Sequence, residues 1–378
     1  MPSSTYSSDA SGSDIAAGVV VGGDTAFRRM PEPWPGVLVG ALALLAIFVA
    51  VTELRLAARG IRATAVDSEA LWIRERARAS RLGERAIILI GASRVQTGID
   101  PDVLRSRTGL EPVQLAIDGS SFVPVLEGLA RDPSVRGTVI VGYYDESVAE
   151  PRDPGSVADR YEAHFEATNP WLAPFSFDTI EGELTDAVRS RLRNYADGAR
   201  PLTSLTTRIL APAAPQYAIV LADRSRLADY AHVDPRVTYY NRVVRELGQK
   251  VSFPAGADYR EIDAELTRRV DALEPGRADD YARNAAAVAA DAAKIEARGG
   301  HVYFVVMPTS GLVTRMEEKR YPRAAFWDRF AAEPNVHAVH FEDVPGLKAI
   351  PVPDGSHVDY HSRAPLTRAL LDAFFAGK

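Results

Sequence analysis

Short uncharged runs rich in β-branched residues recur along this chain and alternate with helical patterns. Three of them are 86–91 (AIILIG), 138–143 (TVIVGY) and 301–307 (HVYFVVM). Such runs are typical of strands buried on both faces of a parallel sheet. Residues 112–117 and 336–342 predict two further strands. We therefore expect an α/β fold, a three-layer doubly wound parallel sheet of the flavodoxin-like kind with helices on both faces.

Helical patterns separate these runs, and the predicted helices lie at 68–82, 100–107, 120–130, 279–298, 322–332 and 362–376. A loop is predicted from Pro308. Region 146–277 lacks strand alternation but carries amphipathic stretches, so we predict a mostly helical insertion there. The α/β domain is accordingly expected at 59–145 and 278–378.

The N-terminal part of the chain has a different composition. Residues 1–27 contain no Lys or Arg and are rich in Ser, Gly, Ala and Asp, which predicts a disordered tail over 1–33. Residues 34–52 then form a run of 19 residues without a charge, enough to cross about 30 Å of hydrocarbon at about 1.5 Å per residue. The run has no polar stripe, which the helix of a soluble protein would carry. No clear small-x-small site follows it, as a cleaved signal peptide would require. We predict a transmembrane anchor at 34–58.

The composition excludes several classes of function. The chain has 44 Lys and Arg against 50 Asp and Glu, a net charge of −6, which argues against a nucleic-acid binder. With no cysteine, it forms no disulfide, thiolate zinc site, iron–sulfur cluster or cysteine nucleophile. It lacks the GxGxxG and GK[ST] motifs of nucleotide sites, and the HxxxH spacing of His357 and His361 lacks the glutamate of zinc proteases. No cofactor and no metal are predicted.

Chemistry in parallel sheets lies at the carboxyl ends of the strands. The residues that follow the strands are therefore the candidate site residues: Ser93 and Arg94 after the first, Asp118 and Gly119 after the second, Tyr144 and Asp145 after the third, with Asp354 and His357 just before the final helix.

The pairing of an early Gly-x-Ser with a late Asp-x-x-His is the most informative pattern. A serine hydroxyl is a weak nucleophile and needs a base to take its proton. A neutral imidazole does this near pH 7, and a carboxylate fixes the imidazole tautomer. Ser93, His357 and Asp354 together predict a nucleophile, a base and an orienting carboxylate.

Each candidate also has a structural interpretation. Ser93 can be a turn former or a helix cap. Arg94 can hold a substrate carboxylate or phosphate, or form a structural ion pair. Asp118 can be a turn residue. Tyr144 and Asp145 can line a pocket or pack at the strand end.

At these residues the sequence resembles the SGNH (GDSL-like) hydrolase superfamily, over about residues 84–145 and 278–376. The Gly-x-Ser turn of the first block matches Gly91-Ala92-Ser93. The glycine of the second block matches Gly119. The Asp-x-x-His of the last block matches Asp354 and His357. The third block normally carries an Asn that donates to the oxyanion, and this chain has Gly142-Tyr143-Tyr144-Asp145 there.

The resemblance is closest to membrane-anchored SGNH-like proteins tied to acetylation of exported polysaccharides or cell-wall polymers. It implies a carbohydrate O-acetylesterase or O-acetyltransferase in which the N–H groups of Ser93 and Gly119 hold the oxyanion. The missing Asn leaves an alternative, a weak or inactive accessory protein with a partner in an envelope-assembly complex.

The resemblance also implies a topology, with residues 59–378 on the periplasmic or extracellular side of the membrane. Three arginines that follow the span, Arg55, Arg59 and Arg62, argue for a cytoplasmic C-terminal domain instead, since positive charge favours the cytoplasmic side. Long C-terminal domains are translocated largely regardless of such charges. We therefore expect an external C-terminal domain.

Overall fold

The computed structural model describes residues 34–167, 177–210, 216–254 and 256–375. The tail predicted at 1–33 lies outside the described residues. The chain divides into two compact units, residues 1–50 and 51–378.

An N-terminal helix, α1 (Trp34–Ala58), occupies the segment predicted as an anchor. Its 25 residues extend about 37 Å at 1.5 Å per residue. The helix is long and apolar enough to span a membrane, judged by length and composition. Its large apolar side chains, such as Leu38 and Leu44, are exposed rather than packed in a core.

The body of the protein contains a five-stranded parallel sheet in the order β2-β1-β3-β6-β7. Its strands are β1 (Ala86–Ile90), β2 (Glu111–Gln114), β3 (Thr138–Tyr143), β6 (His301–Val306) and β7 (His337–His340). Between β3 and β6 in sequence, β4 (Ala218–Val220) and β5 (Arg226–Ala228) form a separate antiparallel hairpin. The α/β class and the parallel sheet predicted from the sequence are confirmed.

Burial of the strands explains why they read as continuous apolar runs. Every residue of β1 and β3 is buried, so both faces of the sheet are covered. Strand β2 is shorter than the predicted 112–117. Its backbone nevertheless continues to follow β1, because the N–H groups of Leu115 and Ile117 donate to the carbonyls of Leu89 and Gly91.

Helices surround the sheet. Those of the α/β part are α2 (Glu69–Leu82), α3 (Ser93–Gly98), α4 (Pro101–Thr108), α5 (Val123–Arg131), α12 (Tyr281–Glu296), α13 (Gly311–Arg320), α14 (Trp327–Ala331), α15 (Pro345–Lys348) and α16 (Arg363–Phe375). Their ends carry the expected signals. Asp100 caps the N-terminus of α4 through its side chain, and Gly109 ends that helix in the left-handed conformation.

Region 146–277 is mainly helical where it is described. Its helices are α6 (Glu146–Ala149), α7 (Val157–Ala167), α8 (Phe177–Arg189), α9 (Pro201–Ser204), α10 (Pro235–Leu247) and α11 (Tyr259–Asp271). The hairpin β4–β5 also lies here and was not predicted, since two strands of three residues are too short to show alternation.

Two sequence predictions near the C-terminal half were wrong. The loop predicted from Pro308 contains helix α13, and the helix predicted at 322–332 is confined to α14. Helix α13 begins at Gly311, after Ser310, whose side chain forms no capping hydrogen bond. Its apolar residues pack with α10 and α11 in a second small core.

Candidate active site

Two glycines place Ser93 at the end of the sheet. Gly91 follows β1 with a φ of +140°, and a Cβ atom there would lie 2.7 Å from Cγ2 of Val95. A Cβ atom on Gly142 in β3 would lie 2.2 Å from the same methyl group. Because both positions lack a side chain, helix α3 packs directly against β1 and β3, with Ser93 as its first residue.

The three residues predicted as nucleophile, base and carboxylate come together. Ser93 Oγ lies 2.8 Å from His357 Nε2, and His357 Nδ1 lies 2.9 Å from Asp354 Oδ2. The other oxygen of Asp354 accepts the backbone N–H groups of Ser356 and His357 at 2.9 and 2.6 Å. A continuous hydrogen-bonded chain therefore runs from the hydroxyl through the imidazole to a carboxylate.

The electrostatics of this chain suit a neutral base beside an ionised carboxylate. Burial lowers the pKa of His357 below its ordinary value, against the hydrogen bond and charge of Asp354. For Asp354, burial alone would raise the pKa. The hydrogen bond and charge of His357, with the two backbone N–H groups, outweigh it and hold the pKa of Asp354 well below its usual range.

Two residues of region 146–277 also bind Asp354, and sequence reasoning missed both. Arg242 Nε, on α10, lies 3.3 Å from Asp354 Oδ2. Tyr230 also interacts electrostatically with Asp354. Burial, followed by the charge of Asp354, raises the pKa of Tyr230. No spacing in the sequence connects these residues to position 354.

The two residues predicted as oxyanion donors both lie at the cavity, with backbone N–H groups that are unpaired within the described residues. Ser93 and Gly119 both line the cavity described below. Within the described part of the chain, the N–H groups of Ser93 and Gly119 have no hydrogen-bond acceptor. Gly119 has a φ of +65°, a conformation that glycine adopts without strain.

The loop that carries Gly119 is held by the hairpin β4–β5. Arg226 Nη1 lies 2.7 Å from Asp118 Oδ2. The buried Arg224 donates to the carbonyls of Gln114 and Ala116 at 2.7 and 3.1 Å. Burial tends to raise the pKa of Asp118, but Arg226 outweighs it and lowers that pKa. Asp118 lies at the cavity wall as the partner of an ion pair.

The remaining candidates fall into different places. Arg94 lines the cavity, and its guanidinium donates to Ser356 Oγ at 3.0 Å and pairs with Glu317 at 2.5 Å. The structural ion pair weighed for Arg94 is therefore present. Tyr144 also lines the cavity, and its hydroxyl donates to the carbonyl of Ser120 at 2.8 Å.

Asp145 does not line the cavity, contrary to the prediction that it is a pocket residue. Its neighbours Tyr144 and Glu146 reach the cavity, whereas Asp145 does not. Its carboxylate lies 3.4 Å from the Tyr281 hydroxyl, and that hydroxyl lies 2.7 Å from the Tyr143 hydroxyl. Burial raises the pKa of Asp145 to about 7. The chain turns here into α6, and the Asp145 side chain faces Tyr281 of α12.

The cavity at Ser93 has a volume of about 1080 Å³. Its wall combines the strand ends of the sheet with residues of α5, α10, α12 and α13, and it carries six arginines and ten acidic side chains, Arg94 and Glu317 among them. The volume is slightly above the roughly 300–1,000 Å³ of small-molecule sites. The ranges that the structure describes contain no cluster of three or more His, Asp or Glu side chains arranged for a metal ion.

Comparisons with known proteins add no relative. No family model matches the sequence, and no curated protein matches it.

Proposed function

We propose that this protein is a membrane-anchored, SGNH-like serine enzyme that transfers or hydrolyses an acyl group on a carbohydrate, as an O-acetyltransferase or O-acetylesterase. The observation that carries the proposal is the hydrogen-bonded chain Ser93–His357–Asp354 at the edge of the cavity. A buried serine–imidazole–carboxylate chain is the arrangement that activates a hydroxyl for attack.

In the first half of the reaction, Ser93 Oγ attacks the acyl carbonyl carbon while its proton moves to Nε2 of His357. The C=O π electrons move onto oxygen, and the N–H groups of Ser93 and Gly119 stabilise that oxyanion. The intermediate collapses, the bond between the acyl carbon and the alkoxy oxygen breaks, and the leaving alcohol takes the proton from His357. An acyl ester on Ser93 remains.

In the second half, water or a sugar hydroxyl attacks the acyl carbon. His357 accepts the proton of the attacking group and returns it to Ser93 as the acyl-oxygen bond to serine breaks. Water gives hydrolysis, and a sugar hydroxyl gives transfer. Asp354 holds the imidazole in the tautomer that accepts at Nε2 and stabilises the imidazolium formed in each half.

The carbohydrate substrate is supported by the resemblance and by the cavity. A volume of about 1080 Å³ with a charged, polar wall accommodates a sugar ring beside the acyl group. An acetyl group alone would leave most of that space empty.

An accessory role is the alternative, and one observation favours it. The third-block Asn is absent, and the Tyr144 hydroxyl that follows β3 is engaged by the carbonyl of Ser120. One missing oxyanion donor costs about 10²–10³ in rate. In this alternative the site binds an acylated polymer or partner without turning it over.

Acetate release tests the choice. The full chain would be assayed with p-nitrophenyl acetate and with an acetylated oligosaccharide. We expect release by the native protein and by Ser106→Ala, whose serine is exposed on α4, and none above background with Ser93→Ala. Binding of the oligosaccharide without any release would support the accessory role and contradict the enzymatic one.

The proposed topology places residues 59–378 on the external side of the membrane. Alkaline phosphatase fused after residue 378 should be active, because it works only outside the cytoplasm. An inactive phosphatase beside an active cytoplasmic reporter at the same position would contradict both this topology and an exported substrate.

A further inference from the structure

Four large apolar side chains between residues 184 and 210 face solvent. Leu184 is 67% exposed, Val188 48%, Leu202 74% and Leu210 73%. Leu184 and Val188 lie one turn apart on the same face of α8, while Leu202 is on α9. Large apolar side chains this exposed are scattered singly on most soluble surfaces, but here three leucines and a valine occur within 27 positions of the chain.

Hydrogen bonds fasten this segment to the last turns of α1. The Glu53 carboxylate accepts the backbone N–H groups of Arg193 and Asn194 at 2.9 and 2.8 Å, and the Asn194 side-chain amide at 2.7 Å. That amide also donates to Thr52 Oγ1 at 3.0 Å. Asn194 is 4% exposed, so this contact is part of a packed interior.

Apolar packing and a further backbone contact complete the attachment. Leu56, Ile61 and Ala196 form a small buried core. Arg193 Nε donates to the carbonyl of Ile61 at 3.0 Å. Residues 193–196 are therefore held against residues 52–61, which are the last turns of α1 and the residues that follow it.

The length of α1 sets where this junction lies in a bilayer. A hydrocarbon layer of about 30 Å takes up about 20 helical residues. A span that begins at Trp34 thus leaves the hydrocarbon near Glu53, which is the residue that binds Arg193 and Asn194. The exposed leucines consequently belong to a segment attached at the level of the lipid headgroups.

The charge of the segment matches that location. Residues 184–210 contain five arginines and two acidic residues, Asp186 and Asp197, which pair with Arg74 and Arg208. Arg189, Arg191 and Arg200 are exposed and form no ion pair with the acidic side chains that the structure describes. Exposed arginines beside exposed leucines are the pattern of a surface that lies in the membrane interface.

We propose that Leu184, Val188, Leu202 and Leu210, with Arg189, Arg191 and Arg200, form an interfacial surface that docks on anionic phospholipid. The leucines enter the boundary between headgroups and acyl chains, and the arginines bind lipid phosphates. This surface gives the protein a second membrane contact beside the single span. The proposal requires α1 to span the bilayer and is independent of any chemistry at Ser93.

The absence of cysteine allows a direct test on the full chain. Single cysteines would replace Leu184, Leu202 or Leu210, and each would carry an environment-sensitive fluorophore. The proteins would be reconstituted in vesicles of phosphatidylcholine and phosphatidylglycerol. Ala349→Cys, an exposed position after α15, is the solvent control, and Leu44→Cys reports on insertion of α1.

We expect nitroxide-bearing lipids to quench the fluorophores at positions 44, 184, 202 and 210 but not the fluorophore at 349. Aqueous iodide should quench the fluorophore at 349 and leave the other four largely unquenched. The triple variant R189Q/R191Q/R200Q should lose much of the lipid quenching at 202 and keep it at 44. The proposal is overturned if iodide reaches 184, 202 and 210 as readily as 349. It is equally overturned if Leu44→Cys is not quenched by lipid, since the surface then meets no bilayer. Shielding from iodide without lipid quenching would indicate a protein partner instead.

Discussion

Nε2 of His357 lies 2.8 Å from Oγ of Ser93, although the two residues are 264 positions apart in the chain. Ser93 follows the first strand of the sheet, and His357 lies in the loop before the last helix. The parallel sheet brings both to the same edge, because the carboxyl ends of its strands point the same way. The hydrogen bonds between Asp354 and His357 are local to one loop, whereas the contact of that loop with Ser93 depends on this convergence.

Arg242 should act as a positioning residue through Asp354. Its guanidinium lies 3.3 Å from the carboxylate that orients His357. We expect Arg242→Gln to reduce kcat by about tenfold, or roughly 1.4 kcal/mol in the barrier, with a smaller change in KM. Arg242→Lys should restore part of the rate.

The matched control for this variant is Arg260→Gln, an exposed arginine on α11. Steady-state kinetics of the three variants provide the test. Equal losses for Arg242→Gln and Arg260→Gln would mean that Arg242 has no special relation to the site.

The pH profile should report a neutral His357. Burial lowers the pKa of this imidazole below its ordinary value of 6.5, so it remains unprotonated at neutral pH. The base is lost only when the pH falls through that lowered pKa. We expect kcat/KM to be level from neutral to mildly alkaline pH and to fall on an acid limb centred below 6.5.

Arg242 also lowers the pKa of His357 through its positive charge. In Arg242→Gln the acid limb should therefore move to higher pH, a shift that a purely structural role would not produce. An acid limb centred above 7 in the native protein would contradict the assignment of His357 as the base.

The close approach of α3 to the sheet should not tolerate a methyl group at position 142. A Cβ atom there would lie 2.2 Å from Cγ2 of Val95. We expect Gly142→Ala to cost about 1–3 kcal/mol of unfolding free energy by overpacking, and to lower the activity because α3 carries Ser93. Gly182→Ala is the control, since nothing lies within 4 Å of a Cβ atom there. Thermal unfolding with and without substrate measures both effects, and an unchanged Gly142→Ala protein would contradict this packing.

The hairpin β4–β5 should influence the proposed oxyanion site through Asp118. Arg226 pairs with Asp118 at 2.7 Å, directly before Gly119. Loss of one oxyanion donor lowers kcat by about 10²–10³-fold. Because Arg226→Gln only loosens the loop that carries Gly119, we expect kcat to fall by at most about 10²-fold, with KM nearly unchanged. A rise in KM at constant kcat would show instead that Arg226 only helps to bind substrate.

The sequence predicted those parts of the fold that follow from local pattern. Strands β1 and β3 were found because their residues are buried on both faces and are continuously apolar. Helix α13 was missed because residues 308–311 have the composition of a loop, and the Ser310 side chain donates to the carbonyl of Val352 instead of capping the helix. The hairpin β4–β5 was missed because three-residue strands carry too little alternation.

The candidate site divides in the same way. Ser93, Gly119, Asp354 and His357 sit directly after strands or before the last helix, where chemistry in parallel sheets is expected. Arg242 and Tyr230 reach Asp354 only because region 146–277 folds back over the sheet edge. That long-range packing leaves no periodic signal in one sequence.

Covalent labelling of Ser93 is the measurement that tests the central claim most directly. The full chain, Ser93→Ala and Ser106→Ala would each be treated with a fluorophosphonate, digested and analysed by mass spectrometry. The account predicts one adduct on the peptide containing Ser93 in the native protein and in Ser106→Ala, and none in Ser93→Ala. A native protein that remains unlabelled at Ser93, or a Ser93→Ala protein labelled as strongly as the native one, would contradict it.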